Sequence, residues 1–107
     1  VGLTEQQAQA QDRDWVVGRA AYVDSNAGLA RGYEHGFVKL LVDRSTHRIL
    51  GAHILGDEAS NLIHLFIAMM KMQGRLEDLL DMIFIHPALP ELARDAARDA
   101  RSKLKES

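Results

Sequence analysis

Hydrophobic and polar positions alternate along the first half of the chain. Residues 15–23 alternate as a strand does, and residues 37–43 and 48–55 are β-rich runs on either side of the polar turn 44–47. Two such runs joined by a short polar turn predict a β-hairpin. Before them, Thr4 is suited to cap a short polar helix.

From residue 57 onwards the apolar residues recur at helical spacing. Asp57 is suited to cap a helix that runs to about Gln73, and Gly74 is expected to end it. The apolar residues of this helix are Leu62, Ile63, Leu65, Phe66, Ile67, Ala68, Met69, Met70 and Met72. They cover more than the stripe of about 100° that a surface helix needs. The helix is therefore a central core helix or has a second buried face. Because so short a chain has few elements to surround it, we favour a subunit interface.

Two further helices are predicted near the end of the chain. The first carries the apolar residues Leu76, Leu79, Leu80 and Ile83. The second begins at Pro90 and carries the stripe Leu92, Ala93, Ala96, Ala97, Ala100 and Leu104. Asp99 and Lys103 form an exposed pair on that helix worth about 0.3 kcal/mol, to which we assign no function. Strands followed by helices predict an α+β domain, an antiparallel sheet with helices packed on one side.

Composition narrows the classes of protein. The 107 residues make one domain, and 47% hydrophobic content is typical of a globular chain. The net charge is −2 with acids and bases interleaved, so a nucleic-acid partner is not expected. No apolar run reaches the roughly 18 residues of a membrane span, so no membrane is expected either. The chain has no cysteine, which favours a cytoplasmic location and means that any redox thiols that it serves lie on another piece of polypeptide.

Several possible sites lack the spacing that their chemistry requires. The five histidines are His35, His47, His53, His64 and His86. They show no metal-binding spacing, so no metal site is expected. Three glycines, Gly28, Gly32 and Gly36, lack the flanking strand and helix of a phosphate-binding loop and are expected to be ordinary loop glycines.

The segment IHPALPE contains both prolines of the chain, Pro87 and Pro90. A residue before proline is held in extended backbone, which fixes His86. Pro90 then starts a helix with Glu91 in its first turn, and a bend between them can bring the carboxylate back to the imidazole. Such a pair has acid–base chemistry near neutral pH. On composition alone, however, an ordinary helix start with a surface Glu91 is favoured.

The order and spacing of several segments resemble a known family. They are residues 1–5, 36–40, 49–56 and 59–63, followed by His86-Pro87 with Glu91. Over essentially the whole chain they resemble the C-terminal dimerisation (interface) domain of FAD-dependent pyridine nucleotide–disulfide oxidoreductases. Residues 1–107 are then that domain, expected to lack its first strand, and the FAD- and NAD(P)-binding domains lie outside this sequence.

The resemblance implies a homodimer and a role in catalysis. His86 would act as acid–base for a redox cysteine of the partner subunit and its small thiol or disulfide substrate, and Glu91 would hold it. His86 and Pro87 would lie near the partner's FAD. FAD and NAD(P) belong to the parent enzyme, and this chain alone is expected to bind no cofactor and to be inactive. The alternative is a non-catalytic homodimerisation module, in which IHPALPE only turns the chain.

The substrate stays open at this level. The commonest form of the family carries Thr and Ser where this sequence has Ala88 and Pro90. HPALPE resembles the mycothione reductase version of the motif, while dihydrolipoamide dehydrogenase remains the other alternative. The absence of a cysteine pair near the end disfavours mercuric reductases and the large thioredoxin reductases.

Overall fold

A computed structural model describes residues 1–24, 35–84 and 88–105. Its elements in chain order are α1 (Glu5–Ala10), β1 (Trp15–Ala21), a 3₁₀ turn (Tyr22–Asp24), β2 (Phe37–Asp43), β3 (Ile49–Leu55), α2 (Ala59–Lys71), α3 (Leu76–Leu80) and α4 (Glu91–Lys105). The predicted α+β class is confirmed. No helix in these described ranges is long and apolar enough to cross a lipid bilayer.

The three strands form one antiparallel sheet in the order β1-β2-β3. The predicted hairpin joins β2 to β3. Its turn is stabilised by Asp43 Oδ1, which accepts the backbone N–H groups of Ser45 (2.9 Å) and Thr46 (2.8 Å). His47 then takes a left-handed backbone conformation at φ 63°, as a hairpin turn of this kind requires. The first strand ends at Ala21, two residues before its predicted end.

The main core lies between the sheet and three helices. α2 packs on β3, α4 packs on β1 and β2, and α3 packs on α4. The largest fully buried side chains of the described residues are Tyr22, Phe66, Leu40, Leu41, Leu76, Leu79, Leu92, Val38 and Val42.

The short helix α1 covers part of the opposite face of the sheet. Side chains alternate along β2, so Leu41 points away from the core that holds Leu40. Leu41 is nevertheless fully buried, as is Ala8 of α1, and Lys39 Nζ lies 3.0 Å from Glu5 Oε1. The helices are therefore not all on one side, which the pattern of apolar residues did not predict.

The helix α2 is shorter at both ends than predicted. Glu58, not Asp57, occupies the N-cap position, in a left-handed conformation and without a side-chain cap. At the other end, Gln73 adopts φ 56°. The N–H of Gly74 donates to Met69 O at 2.7 Å, which is the C-terminal closure of a Schellman motif. The left-handed residue that ends the helix is therefore Gln73, one position before the predicted glycine.

The helix α3 also ends early. It stops at Leu80, and Ile83 lies beyond it with 98% of its surface exposed. The prediction that Ile83 shares the buried stripe of this helix was wrong, because the chain leaves the helix before another turn can bring Ile83 to the core.

Candidate active-site segment

The predicted site lies at the start of α4. His86 and Pro87 lie outside the described residues, so the site is defined by the residues that flank them: Phe84 before, and Ala88 to Glu91 after. The turn after the prolines is anchored to the core by Leu89, which is 2% exposed, and its backbone closes through Ala93 N–H to Pro90 O at 3.0 Å. The start of α4 is therefore held against the hydrophobic core.

Glu91 is the first residue of α4 and is buried, with only 10% of its side chain exposed. Its Oε1 accepts the backbone N–H of Ala88 at 3.0 Å. The carboxylate therefore turns back over the residue that directly follows Pro87. The surface glutamate favoured on composition alone was wrong, because Glu91 is buried. A buried carboxylate requires polar partners.

Arg94 supplies the charged partner of Glu91. Its Nη2 donates to Glu91 Oε2 at 3.1 Å, one helical turn further along α4. The guanidinium also lies over the ring of Phe84, with Cζ 5.9 Å from the ring centre. Sequence reasoning missed Arg94 and Phe84; the spacing of three residues from Glu91 to Arg94 on a helix was the signal that could have found the arginine.

A groove of about 300 Å³ opens beside this turn. It lies between α2, the sheet and the start of α4, and its lining is mostly apolar: Val38, Ile54, Leu62, Leu65, Phe66, Ala88, Leu89, Pro90, Leu92 and Ala93. Glu58 and Asn61 are its polar lining residues. The turn before α4 thus forms one wall of a cleft rather than a free surface.

A second groove of about 300 Å³ lies at the end of α2. We call it the methionine groove; Leu65, Ala68, Met69, Met72, Gly74, Asp78 and Met82 line it. Met72 is 81% exposed, and Ile67 of α2 and Met82 are also exposed. The predicted second apolar surface of α2 is present in the domain, and the described part of the chain leaves much of it exposed.

Three of the other histidines, His47, His53 and His64, make hydrogen bonds within the domain. The ring of His53 on β3 donates to Leu3 O at 2.9 Å, and the ring of His64 donates to Ser60 O within its own helix at 2.8 Å. His47 in the hairpin contacts the carboxylate of Glu77, and His35 is exposed. His53 and His47 therefore lie on a strand and in a turn, as predicted.

The contact with His47 is accompanied by a shift in the pKa of Glu77. Partial burial tends to raise the pKa of Glu77, but the hydrogen bond to His47, a backbone hydrogen bond and the nearby charges of His47 and Arg75 together hold that pKa below its ordinary value. Of the three glycines tested as a phosphate loop, Gly28 and Gly32 lie outside the described residues. Gly36 adopts φ 117° beside the ring of Tyr22, where a side chain would be strained.

A comparison against protein families finds a match over most of the chain. Residues 1–97 match the model described as "Pyridine nucleotide-disulphide oxidoreductase, dimerisation domain". The chain therefore belongs to this dimerisation-domain family.

Among characterised relatives, the chain is similar to a dihydrolipoyl dehydrogenase of Rhizobium etli, with 36% identity over 97% of this chain and 22% of that protein. A dihydrolipoyl dehydrogenase of Halobacterium salinarum is 40% identical over 94% of the chain and 21% of its own length. A soluble pyridine nucleotide transhydrogenase of Mycobacterium bovis is 33% identical over 98% of the chain and 22% of its own length. The chain thus spans about a fifth of the length of the curated relatives it matches.

Solved structures agree on the fold. The HOCl-induced flavoprotein disulfide reductase of Escherichia coli superposes with a TM-score of 0.86 at 28% identity, over 92% of this chain and 22% of that chain. The fold of this chain is therefore that of a disulfide-reductase dimerisation domain.

Proposed function

We propose that this domain forms the two-fold contact of a flavin-dependent NAD(P)H–disulfide oxidoreductase and donates His86 and Glu91 to the partner subunit's active site. The observation that carries this proposal is the burial of Glu91. The bond from the N–H of Ala88 to this carboxylate is one that glutamates at ordinary helix starts also make, so the burial of Glu91 is the feature that supports a further role. The carboxylate is held beside the segment whose histidine it is proposed to orient.

The proposed chemistry is a proton transfer. His86 accepts a proton at a ring nitrogen when a substrate or enzyme thiol becomes a thiolate, and it returns the proton when the thiolate is protonated again. Glu91 favours the imidazolium form and fixes the orientation of the ring. Because an imidazole titrates near neutral pH, it can perform both steps at physiological pH.

The flavin and the nucleotide are assigned to other parts of the parent enzyme. The groove beside the site is lined by apolar side chains, one carboxylate and one amide, so these residues offer no cation for a dinucleotide's pyrophosphate. FAD would supply the electron transfer in the parent protein, and His86 and Pro87 are proposed to lie close to the partner's flavin. We derive no step through either cofactor.

A homodimer is the proposed assembly. The methionine groove and the neighbouring exposed residues, among them Met72, form an apolar surface on α2 and the segment after α3. Methionine side chains adapt readily to a packing partner, and an apolar surface of this kind is typical of an interface. A second copy related by two-fold symmetry would cover the same surface on both subunits. The alternative function, a non-catalytic homodimerisation module, would use the same surface. It differs from the proposal only in that His86 would take no part in catalysis.

The parent enzyme is proposed to act on a small dithiol or disulfide. Similarity to proteins named dihydrolipoyl dehydrogenase favours a dihydrolipoamide-type dithiol. Oxidation of dihydrolipoamide with NAD⁺ or NADP⁺ by the full-length enzyme tests the substrate class and the nucleotide together. A cytoplasmic location stays a prediction.

Replacing His86 by alanine in the full-length enzyme tests the proposed role. Turnover should fall by roughly 10²- to 10⁴-fold, the usual contribution of a positioned acid–base group. Glu91→Gln should cost less and move the midpoint of the pH–rate profile to lower pH. His35→Ala, at an exposed histidine, is the control and should leave turnover unchanged. His86→Ala within about threefold of wild type, a difference of well under 1 kcal/mol in the barrier, would contradict the catalytic role.

A further inference from the structure

We infer that Arg94 is a positioning residue that sets the orientation and the effective charge of Glu91. The inference rests on the proposed role of Glu91 beside His86 and adds to it a residue on the next turn of α4. Arg94 donates to Glu91 Oε2 while the N–H of Ala88 donates to Oε1. Because each contact takes a different oxygen, together they fix the rotation of the carboxylate plane.

Because Glu91 is buried, its carboxylate depends on the contact with Arg94. The side chains of Glu91 and Arg94 are only 10% and 25% exposed. A carboxylate with so little access to water depends on nearby donors and cations, and loss of one partner leaves its charge poorly compensated. Among the described residues, Asp95 Oδ1 lies 3.7 Å from Arg94 Nε, and Glu58 lines the adjacent groove. Arg94 is therefore a cation in direct contact with this buried carboxylate.

The contacts of Arg94 also join the two sides of the His86-Pro87 segment. Phe84 lies two positions before His86 and packs against the guanidinium, and Glu91 accepts the N–H of Ala88, the residue directly after Pro87. A planar guanidinium can stack on a ring and donate to a carboxylate at the same time, which a lysine cannot do as well. Arg94 thereby links Phe84 to the start of α4.

Kinetics of variants in the full-length enzyme test this inference. Arg94→Gln should lower kcat about tenfold, the order expected for loss of a charge-assisted hydrogen bond to a catalytic partner. It should also move the midpoint of the pH–rate profile to higher pH, because a cation bound to Glu91, the proposed partner of the imidazolium, has been removed. Glu91→Gln moves the midpoint in the opposite direction. A purely structural role would not produce opposite shifts.

Matched variants separate charge from shape. Arg94→Lys keeps the cation, so it should leave the pH midpoint in place while losing part of kcat. Arg98→Gln makes the same chemical change at an exposed position of α4 and should leave kcat within about twofold of wild type. The double variant Arg94→Gln with Glu91→Gln should be no slower than Glu91→Gln alone, since residues that act through one another are not additive.

The outcomes distinguish this inference from the proposed function. If His86→Ala and Glu91→Gln lower kcat but Arg94→Gln has normal kcat and pH midpoint, the inference is wrong and the proposed function stands. If the losses of Arg94→Gln and Glu91→Gln multiply, Arg94 does not act through Glu91. If His86→Ala leaves kcat unchanged, the proposed function fails first. Flavin absorbance and thermal unfolding of each variant show whether it has folded.

Discussion

The carboxylate of Asp99 on α4 accepts the backbone N–H of Arg19 on β1 at 2.8 Å. Four residues further on, Lys103 Nζ donates to Val17 O at 2.6 Å and lies 3.0 Å from Asp99 Oδ2. β1 is an edge strand, so these two side chains satisfy backbone groups that have no neighbouring strand in the described sheet. The predicted Asp99–Lys103 pair is confirmed, but it also fastens the last helix to the edge of the sheet.

Asp99→Ala should therefore cost more than loss of a surface ion pair. We expect the free energy of unfolding to fall by about 1 kcal/mol, because a backbone donor loses its charged acceptor in a partly exposed site. Asp99→Asn retains an oxygen that can accept from Arg19 and should lose clearly less. Urea denaturation of the 107-residue chain measures both. Equal stability of Asp99→Ala and wild type would show that the contact to β1 contributes nothing.

Gly18 allows the close approach of α4 to β1. A Cβ at Gly18 would lie 2.1 Å from Ala96 O and 2.8 Å from the Cβ of Ala100. Gly18→Ala should lower the free energy of unfolding by at least about 2 kcal/mol, since the helix must move away from the sheet. Adding Ala100→Gly should recover only a small part, because the clash with the Ala96 backbone remains. A melting temperature close to that of wild type would contradict this packing.

The hairpin turn should make stability depend on acid pH. The backbone N–H of Thr46, outweighing partial burial, holds the pKa of Asp43 below its ordinary value of 3.8. A carboxyl group with a lowered folded-state pKa stabilises the fold fully above its unfolded pKa, and that contribution is lost as pH falls through the folded value. Asp43→Asn should be less stable than wild type at pH 6, and the difference should shrink as pH falls from about 4 towards 2. A difference that is constant over this range would mean that the charge of Asp43 is unimportant.

The methionine groove should control dimerisation. Met72→Lys places a charge where Met72 is 81% exposed, so the fold of one subunit should be unaffected. In a two-fold dimer the charge would be buried twice, and the dimer dissociation constant of the full-length enzyme should rise by about tenfold or more. Ser102→Lys on α4 adds the same charge elsewhere and serves as control. Sedimentation equilibrium that shows equal dimer affinity for Met72→Lys and wild type would exclude this surface.

Local sequence patterns predicted the sheet well and the helix ends less well. β2 spans the predicted residues because a β-rich run lies between a glycine and a turn with strong local preferences. The start of α2 could not be predicted in this way, since the hydroxyl of Tyr22 donates to Asp57 O at 2.7 Å from 35 residues away. That contact is tertiary, so the sequence around Asp57 does not contain it.

The candidate site was also predictable only where local sequence determines it. The two prolines indicated where α4 begins, and Glu91 is its first residue. Its burial was not predictable, because it depends on Leu89 and Leu92 packing into the core and drawing the turn inward. Sequence reasoning did not single out Arg94, because its contacts with Phe84 and with the buried carboxylate of Glu91 exist only in the folded domain.

Mixed dimers of the full-length enzyme test the central claim most directly. One subunit carries His86→Ala, and the other carries serine in place of the redox cysteines expected outside this sequence. If His86 serves the partner's thiols, the mixed dimer contains one complete site and should show about half the wild-type turnover, while each parent variant alone is nearly inactive. If the mixed dimer is as inactive as its parents, His86 does not act across the subunit contact and the account is wrong.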